Sequence, residues 1–144
     1  MLLGPGVLLD VRKRVRRELR KIGYKEIIME DDIETKHETR LDIKLQKIMK
    51  RYEPVFIAFF LEKAENMEGV VFEIGCICCK YGKRIRHRLM LLSDKGYEWN
   101  KRTPYMHNLI PRVITADFDE NVKYHKASQR IHNFAMGYIL SGDG

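Results

Sequence analysis

The chain has 144 residues, of which 44% are hydrophobic and 33% are charged, and these values predict a single globular domain over residues 1–144. No apolar run is long enough for a transmembrane helix and the first residues lack a secretory pattern, so we expect a cytoplasmic protein without membrane contact. The formal net charge of +7 is compatible with binding to an acidic partner.

Most of the excess positive charge lies in one segment. Between Arg12 and Lys21 there are seven basic residues and one acid, Glu18, which gives the segment a charge of +6. Such a stripe binds phosphates or nucleic acid in some proteins and is the solvated face of an amphipathic helix in others. No nucleic-acid motif accompanies it, which favours the solvated helix face.

The cysteines and histidines do not predict a metal site. Cys76, Cys78 and Cys79 are crowded together, whereas zinc ligands normally come as separated pairs. His125 and His132 are able to share a face of the last helix, but two ligands do not define a site. We therefore predict no metal and no cofactor, with the cysteines as reduced apolar side chains on a buried helix.

Strands and helices alternate along the chain. In order, we predict a strand at 2–3, a helix over 10–22 closed by Gly23, a strand over 26–30, a helix from Thr35 or Glu38 to Tyr52, a strand over 55–61, a helix over 69–81, a strand over 88–92, an irregular stretch over 97–112, a strand over 113–118 and a helix over 119–140. The apolar run over 55–61 is typical of a strand buried on both faces of a parallel sheet.

This alternation predicts an α/β fold with helices on both faces of a mainly parallel sheet. The specific expectation is a flavodoxin-like, three-layer α/β/α domain with five strands in the order 2-1-3-4-5. In such sheets, ligands bind at the carboxyl ends of the strands where the order reverses, which are strands 1 and 3 here.

Several residues are expected to converge on that crevice. Glu73 is a carboxylate inside an apolar helix, so it lies at the helix start, where backbone N–H groups favour an anion, or works in a cleft, or both. For Asp10, Glu62 and Asp94, the simpler interpretation as caps or solvated loop residues is favoured over a role in binding. The candidate binding residues are Gly4, Pro5 and Gly6 after strand 1, Glu62, Asn66 and Gly69 after strand 3, and Ser93 and Asp94 after strand 4.

Segment 69–83 resembles a helix of the nucleoside 2-deoxyribosyltransferases and of related TIR-like nucleotide-binding domains. Their pattern is Gly, a few residues, Glu, an apolar residue, Gly, a small apolar stretch and then Gly-Lys before a strand. The matching residues are Gly69, Glu73, Gly75, Gly82 and Lys83. In addition, Gly4-Pro5 resembles the first loop of the deoxyribosyltransferases.

The resemblance implies an enzyme that acts on an N-glycosidic bond of a nucleoside, a nucleotide or NAD, as a hydrolase or a deoxyribosyltransferase. The matching glutamate of that superfamily is the nucleophile or the carboxylate that stabilises the ribosyl group, which implies this role for Glu73. Deoxyribosyltransferases complete their sites with a residue from a neighbouring subunit. A homodimer is therefore implied, with its contact in the region 97–106 or on the last helix.

Two other functions stay open. The first is a non-catalytic nucleotide-binding or sensing domain of the same fold, with its ligand in the same crevice. The second is a nucleic-acid-binding module that uses the basic stripe at 12–21. The aromatic stretch at 97–112 is either a lid, with Trp99 or Tyr105 stacked on a base, or a set of side chains packed over the sheet edge.

Overall fold

A computed structural model describes residues 1–4, 6–29, 32–33, 41–60, 67–94, 97–102, 113–115 and 123–140. The described strands are β1 (Leu2–Leu3), β2 (Phe56–Phe60), β3 (Leu89–Ser93) and β4 (Val113–Thr115). The described helices are α1 (Leu9–Ile22), α2 (Leu41–Arg51), α3 (Glu68–Tyr81), α4 (Lys83–Arg86), α5 (Trp99–Arg102) and α6 (Lys123–Leu140), and a 3-10 turn at Gly6–Leu8 precedes α1.

The four strands form a parallel sheet in the order β1-β2-β3-β4. Ile57 of β2 lies opposite Leu2 on one side and Met90 on the other. Because β2 has a hydrogen-bonded neighbour on each side and helices lie on both faces of the sheet, the predicted α/β class with a parallel sheet is confirmed.

The strand predicted over 26–30 is present as a single bridge. Met29 pairs in parallel with Leu2, and the Leu2 N–H donates to the Ile28 carbonyl at 2.9 Å. Since the other side of Leu2 is taken by Ile57, the Met29 segment lies beside β1 on the side away from β2. Within the described residues, the five-strand order therefore stays a prediction.

Side chains of β2 alternate between two apolar cores, one on each face of the sheet. Phe56, Ala58 and Phe60 join α2 and α3 in the α2–α3 core, whereas Ile57 and Phe59 join α1 and α6 in the α1–α6 core. The helices contribute Leu45, Ile48, Val70, Ile74 and Ile77 to the first core and Val15, Leu19, Ala127, Ile131 and Phe134 to the second. Burial on both faces explains why β2 is apolar throughout.

The helix α1 ends where the sequence predicts. Gly23 has a φ of +114°, in the left-handed region that favours glycine. Its N–H donates to the Arg20 carbonyl at 3.1 Å, and the N–H of Tyr24 donates to the Leu19 carbonyl at 3.2 Å. These two bonds satisfy carbonyls that the end of a helix otherwise leaves unpaired.

Other boundaries differ from the predictions. The short helix α5 lies in a stretch predicted to be irregular, and α4 follows the predicted end of α3, where it places Ile85 in the α2–α3 core. The predicted helix residues 35–40 and 119–122 and the strand residues 61 and 116–118 lie outside the described residues. Across the described ranges, none of the helices combines the length and the apolar character that crossing a membrane requires.

The central position of β2 predicts a large difference between two phenylalanines. Phe59 is fully buried in the α1–α6 core, whereas Phe72 on α3 is 68% exposed. We expect Phe59→Ala to lower the free energy of unfolding by about 3–5 kcal/mol through lost burial and a cavity, and Phe72→Ala to change it by about 0.5 kcal/mol or less. Urea unfolding measures both, and equal losses would contradict this account of the core.

Candidate functional site at the carboxyl edge of the sheet

Three chain segments meet at the carboxyl edge of the sheet. Gly4 follows β1, Ser93 ends β3 with Asp94 next, and α3 begins at Glu68 after the connection from β2. The carboxyl ends of parallel strands lie at one edge, and the helix after each strand begins there. The fold thus brings Gly4, Ser93 and Asp94 and the start of α3 to one side of the molecule, as expected for a crevice.

Glu73 lies in the second turn of α3 and is half-buried, with its Oε2 atom enclosed by protein. The expectation that it lies at the helix start is wrong, because α3 begins at Glu68 and the dipole effect fades beyond the first turn. Glu73 is about 7–8 Å along the axis from Glu68. Helical side chains lean towards the helix N-terminus, so its carboxylate is directed back towards the carboxyl edge.

Ser93 is fully buried at the end of β3. It lies opposite Phe60 in the sheet and so shares the face of the α2–α3 core. Within the part of the chain that the structure describes, its hydroxyl has no hydrogen-bond partner. The next residue, Asp94, is half-buried, and its N–H donates to the Phe60 carbonyl at 3.2 Å. Ser93 thus offers a buried hydroxyl at this edge.

An aromatic cluster covers the end of β2. The ring centroids of Phe60 and Trp99 are 4.9 Å apart, those of Phe60 and Tyr97 5.4 Å, and those of Tyr97 and Trp99 4.6 Å. Trp99 and Tyr97 therefore pack on the sheet, although the Trp99 Nε1 is buried with no hydrogen-bond partner among the described residues. Tyr105, the other aromatic residue of the predicted lid, lies outside them.

Arg12 lies beside the first loop, a position that sequence reasoning missed. It is 7% exposed, and a Cβ placed on Gly4 would lie 3.3 Å from both the Arg12 Cδ and the Phe59 Cβ. Glycine at this position therefore lets the loop pass close to the Arg12 side chain. The signal was present in the spacing, because Arg12 shares a helical face with the buried Val15 and Leu19.

The other predicted site residues are not gathered in the same way. Gly6, the first residue of the 3-10 turn, and Gly69, the second residue of α3, are both exposed. Phe72, which precedes Glu73, faces solvent and does not line a site. Three further candidates, Pro5, Glu62 and Asn66, lie outside the described residues.

The basic residues at 12–21 do not form one continuous surface. Arg12 is buried, the Arg14 guanidinium lies 5.1 Å from the centre of the Tyr124 ring, and the Lys21 ammonium bonds the Glu18 carboxylate at 2.7 Å. Arg14 and Lys21, seven residues apart, lie on the same side of α1, whereas Arg12 lies on the opposite side. Since Lys13, Arg14, Arg17, Arg20 and Lys21 are exposed, the solvated-face interpretation stays a prediction, and Arg12 is the buried exception.

A cleft of about 450 Å³ lies along the open edge of the sheet, between α1 and α2. We call it the edge cleft. Its floor includes Ile28, Ile33, Ile48 and Tyr52, and Glu26 and Asp32 supply acidic groups. Its basic side chains come from α1, α2 and the segment between them: Arg16, Arg20, Lys25, Lys47 and Arg51.

Asp32 connects the Met29 segment to α1 through two hydrogen bonds. Its Oδ2 accepts hydrogen bonds from the Arg16 Nη1 at 2.7 Å and from the Met29 N–H at 2.8 Å. Burial by itself raises the pKa of Asp32, but these two donors outweigh burial and hold the pKa below its ordinary value of 3.8. The carboxylate is therefore ionised at neutral pH and holds Arg16 in place.

A second cavity, of about 330 Å³, opens at the opposite, amino edge of the sheet. It is mostly apolar, and Leu19, Val55 and Ile131 are among its lining residues. The Met1 amino group, which also lines it, donates to the Val55 carbonyl at 2.6 Å, and burial lowers the pKa of this amine to about 5. Of the predicted site residues that the structure describes, none lines this cavity or the edge cleft.

The described residues hold no group of three or more His, Cys, Asp or Glu side chains placed to bind a metal ion. The three cysteines lie on α3 without a disulfide, and Cys79 is exposed while Cys76 and Cys78 are half-buried. The helix that carries them is thus covered by the core on one face and open to solvent on the other.

Compared with known protein-family models, curated proteins and solved structures, this chain has no significant match. The resemblance of segment 69–83 to deoxyribosyltransferases therefore stays a prediction from the motif. The function has to be inferred from the residues and their geometry.

Substitution of Ser93 tests whether its buried hydroxyl contributes to the stability of the fold. Because it makes no hydrogen bond to a described residue, we expect Ser93→Ala to leave the free energy of unfolding within about 0.5 kcal/mol of the parent, or to raise it. By contrast, Ala58→Ser, which adds a hydroxyl to the same core from β2, is expected to cost about 1–3 kcal/mol. A loss of more than about 1 kcal/mol in Ser93→Ala would mean that this hydroxyl has a structural partner.

The Asp32 contacts predict a pH-dependent contribution to stability. Since the pKa of Asp32 is lower in the folded than in the unfolded chain, the stabilisation is present above the unfolded pKa and is lost as pH falls through the folded one. We expect Asp32→Asn to lower the free energy of unfolding by about 0.5–1 kcal/mol at pH 7, a modest value because the pair is partly exposed. Urea unfolding of both proteins should converge as pH falls below the ordinary value of 3.8, and a constant difference would contradict this.

Proposed function

We propose that the protein cleaves the N-glycosidic bond of a nucleoside, a nucleotide or NAD, or transfers its ribosyl group, with Glu73 as the reacting carboxylate. The observation that carries the proposal is the position of Glu73 within α3. This apolar helix has one other acidic residue, Glu68 at its exposed first position, whereas Glu73 has a carboxylate oxygen enclosed by protein. Burying a carboxylate costs free energy, which favours a working role.

The chemistry suits a carboxylate beside a sugar. As the C1′–N bond breaks, the base leaves with the bonding electron pair, and positive charge develops on C1′ and the ring oxygen. The Glu73 carboxylate would stabilise this charge or form a C1′–O bond. Water or a second base then attacks C1′ and releases the carboxylate, so hydrolase and transferase differ in the second nucleophile.

Two neighbouring groups support a polar ligand at this edge. The Ser93 Oγ and the Trp99 Nε1 are both buried, and neither has a hydrogen-bond partner among the described residues. Both flank Phe60, since Ser93 lies opposite it in the sheet and Trp99 packs on its ring. Because such groups normally have partners, we infer that a ribose hydroxyl or a base supplies them in the bound state.

Three further proposed substrate contacts are among the described residues. Gly4 permits close backbone approach beside Arg12, Gly69 lies in the first turn of α3, and Asp94 follows Ser93. A nucleoside in the crevice would meet the strand ends on one side and the start of α3 on the other. This arrangement is typical of ligand binding in parallel α/β sheets.

We also infer that the sheet belongs to the five-stranded flavodoxin-like type, with the Met29 segment as the edge strand. The parallel bridge between Met29 and Leu2 supports this, because it puts that segment where the order 2-1-3-4-5 requires the second strand. The helices support it as well, since α1 and α6 share one face and α2 and α3 the other.

A homodimer stays a prediction. Within the proposed contact region 97–106, Tyr97 is 6% exposed and packs on Phe60 inside the chain. On α6, Ile131 and Phe134 pack into the α1–α6 core. These side chains serve the fold, so a subunit contact on α6 would use its exposed side chains, of which Met136 is 36% exposed.

The test is base release from a panel of nucleosides, nucleoside monophosphates and NAD, followed by chromatography. We expect release from at least one substrate, and we expect Glu73→Gln to slow it by at least about a thousandfold because the reacting carboxylate is gone. The matched control is Glu68→Gln, which removes an exposed carboxylate from the same helix and should release base at close to the parent rate. Thermal unfolding shows whether each variant is folded.

The outcomes separate the proposed functions. Unchanged release by a folded Glu73→Gln protein would overturn the role of Glu73. Absence of release from every substrate, with a nucleotide still bound and the binding weakened by Ser93→Ala, would favour the non-catalytic nucleotide-binding domain. If the protein neither binds a nucleotide nor releases a base, both proposed functions are contradicted.

A further inference from the structure

The edge cleft gathers positive charge from three separate parts of the chain. Arg16 and Arg20 come from α1, Lys47 and Arg51 from α2, and Lys25 from the segment between them. Among the described lining residues, five basic and two acidic side chains give a formal charge of +3. Like charges held around one cavity repel each other, so the arrangement costs free energy unless an anion enters.

The two described acidic residues of the cleft, Glu26 and Asp32, do not cancel this charge. The Asp32 carboxylate is already engaged by Arg16 and the Met29 N–H, at 2.7 and 2.8 Å. Glu26 is exposed, and its Oε2 lies 3.5 Å from the Tyr52 hydroxyl, at the limit of a hydrogen bond. Positive potential therefore remains on the other side of the cleft, towards Arg20, Lys25 and Arg51.

The floor of the cleft is apolar and partly aromatic. Ile48 is buried, Ile28 and Ile33 are half-buried, and all three pack with the α2–α3 core. The Arg51 guanidinium lies 5.2 Å from the centre of the Tyr52 ring, which orients a planar cation at the rim. A ligand here would thus meet charge at the rim and an apolar surface beneath it.

The size of the cleft limits the kinds of ligand that fit it. A volume of about 450 Å³ exceeds what one phosphate needs and falls within the roughly 300–1,000 Å³ of small-molecule sites. A nucleic-acid strand is less favoured, because Arg14 and Lys21 on α1 make other contacts and do not extend the basic surface along a backbone.

We propose that the edge cleft binds a phosphorylated small molecule of nucleotide size. Its phosphates contact Arg20, Lys25 and Arg51 through charge-assisted hydrogen bonds, and its organic part rests on Tyr52 and the isoleucines. The cleft is separate from the carboxyl-edge site and does not contain Glu73. The proposal therefore does not depend on the glycosidic reaction.

Isothermal titration calorimetry with ATP, tripolyphosphate and adenosine tests this proposal. We expect ATP to bind in low salt and to bind more weakly as salt rises, adenosine to bind more weakly than ATP, and tripolyphosphate to compete with ATP. Arg20→Ala and Arg51→Ala should each weaken ATP binding by about tenfold or more, since each removes a charge-assisted hydrogen bond.

The chain offers a matched control for each variant. Arg17→Ala removes an exposed arginine from α1 outside the cleft, and Lys50→Ala removes an exposed lysine from α2 next to Arg51. Both change the net charge by the same amount as the cleft variants. At about 0.15 M salt they should bind ATP within about twofold of the parent, because neither side chain lines the cleft and salt screens exposed charges outside it. Equal weakening in cleft and control variants would mean a general charge effect and would overturn the site.

A further variant separates the cleft from the proposed catalytic site. Glu73→Gln should bind tripolyphosphate as tightly as the parent, because Glu73 does not line the cleft and tripolyphosphate has no ribosyl group for the carboxyl-edge site. ATP binding that Arg20→Ala and Arg51→Ala leave unchanged would overturn the proposal, as would binding of a short single-stranded oligonucleotide without binding of ATP or tripolyphosphate. If no base is released while ATP still binds and its binding depends on Arg20 and Arg51, the result counts against the glycosidic reaction and leaves the cleft proposal intact.

Discussion

The strand β2 has a hydrogen-bonded neighbour on each side and a helical layer on each face, so its burial links every part of the sheet. All five of its residues are at most 2% exposed. Its alternate side chains enter two different cores, and the loss of either core would expose large aromatic surface. Because the strands are parallel, each connection must return from the carboxyl edge to the amino edge, and α3 makes this return between β2 and β3.

That geometry gives the edges of the sheet different chemical character. The carboxyl edge receives the start of α3, the buried Ser93 hydroxyl and the aromatic cluster of Tyr97 and Trp99 on Phe60. The open side edge carries the basic cleft, and the amino edge carries an apolar cavity. With a net charge of +7, the whole chain attracts anions. A nucleotide is compatible with both proposed sites, one through its sugar and the other through its phosphates.

Local sequence patterns predicted the positions of helices and strands better than they predicted the environment of individual side chains. The all-apolar run is β2, and Gly23 ends α1, as predicted. Both features can be recognised from a few residues that are adjacent in the sequence. The candidate site was predicted in part: Gly4 and Ser93 reach the expected edge through parallel topology. The helix-start position of Glu73 was wrong even though the predicted start at Gly69 is one residue from the observed one, because Glu73 lies more than a full turn beyond either residue. Arg12 was missed because charge outweighed its helical position in the interpretation.

By itself, the sequence determined the alternation of strands and helices, the parallel character of the sheet and the presence of a carboxylate in an apolar helix. These features follow from side-chain periodicity and from the cost of burying charge, both of which act over a few residues. The tertiary structure alone decided that Arg12 turns inward and that Arg20 and Arg51, from different helices, line one cleft. Such convergence depends on which helices flank the same edge, and that is set by packing between elements distant in the chain.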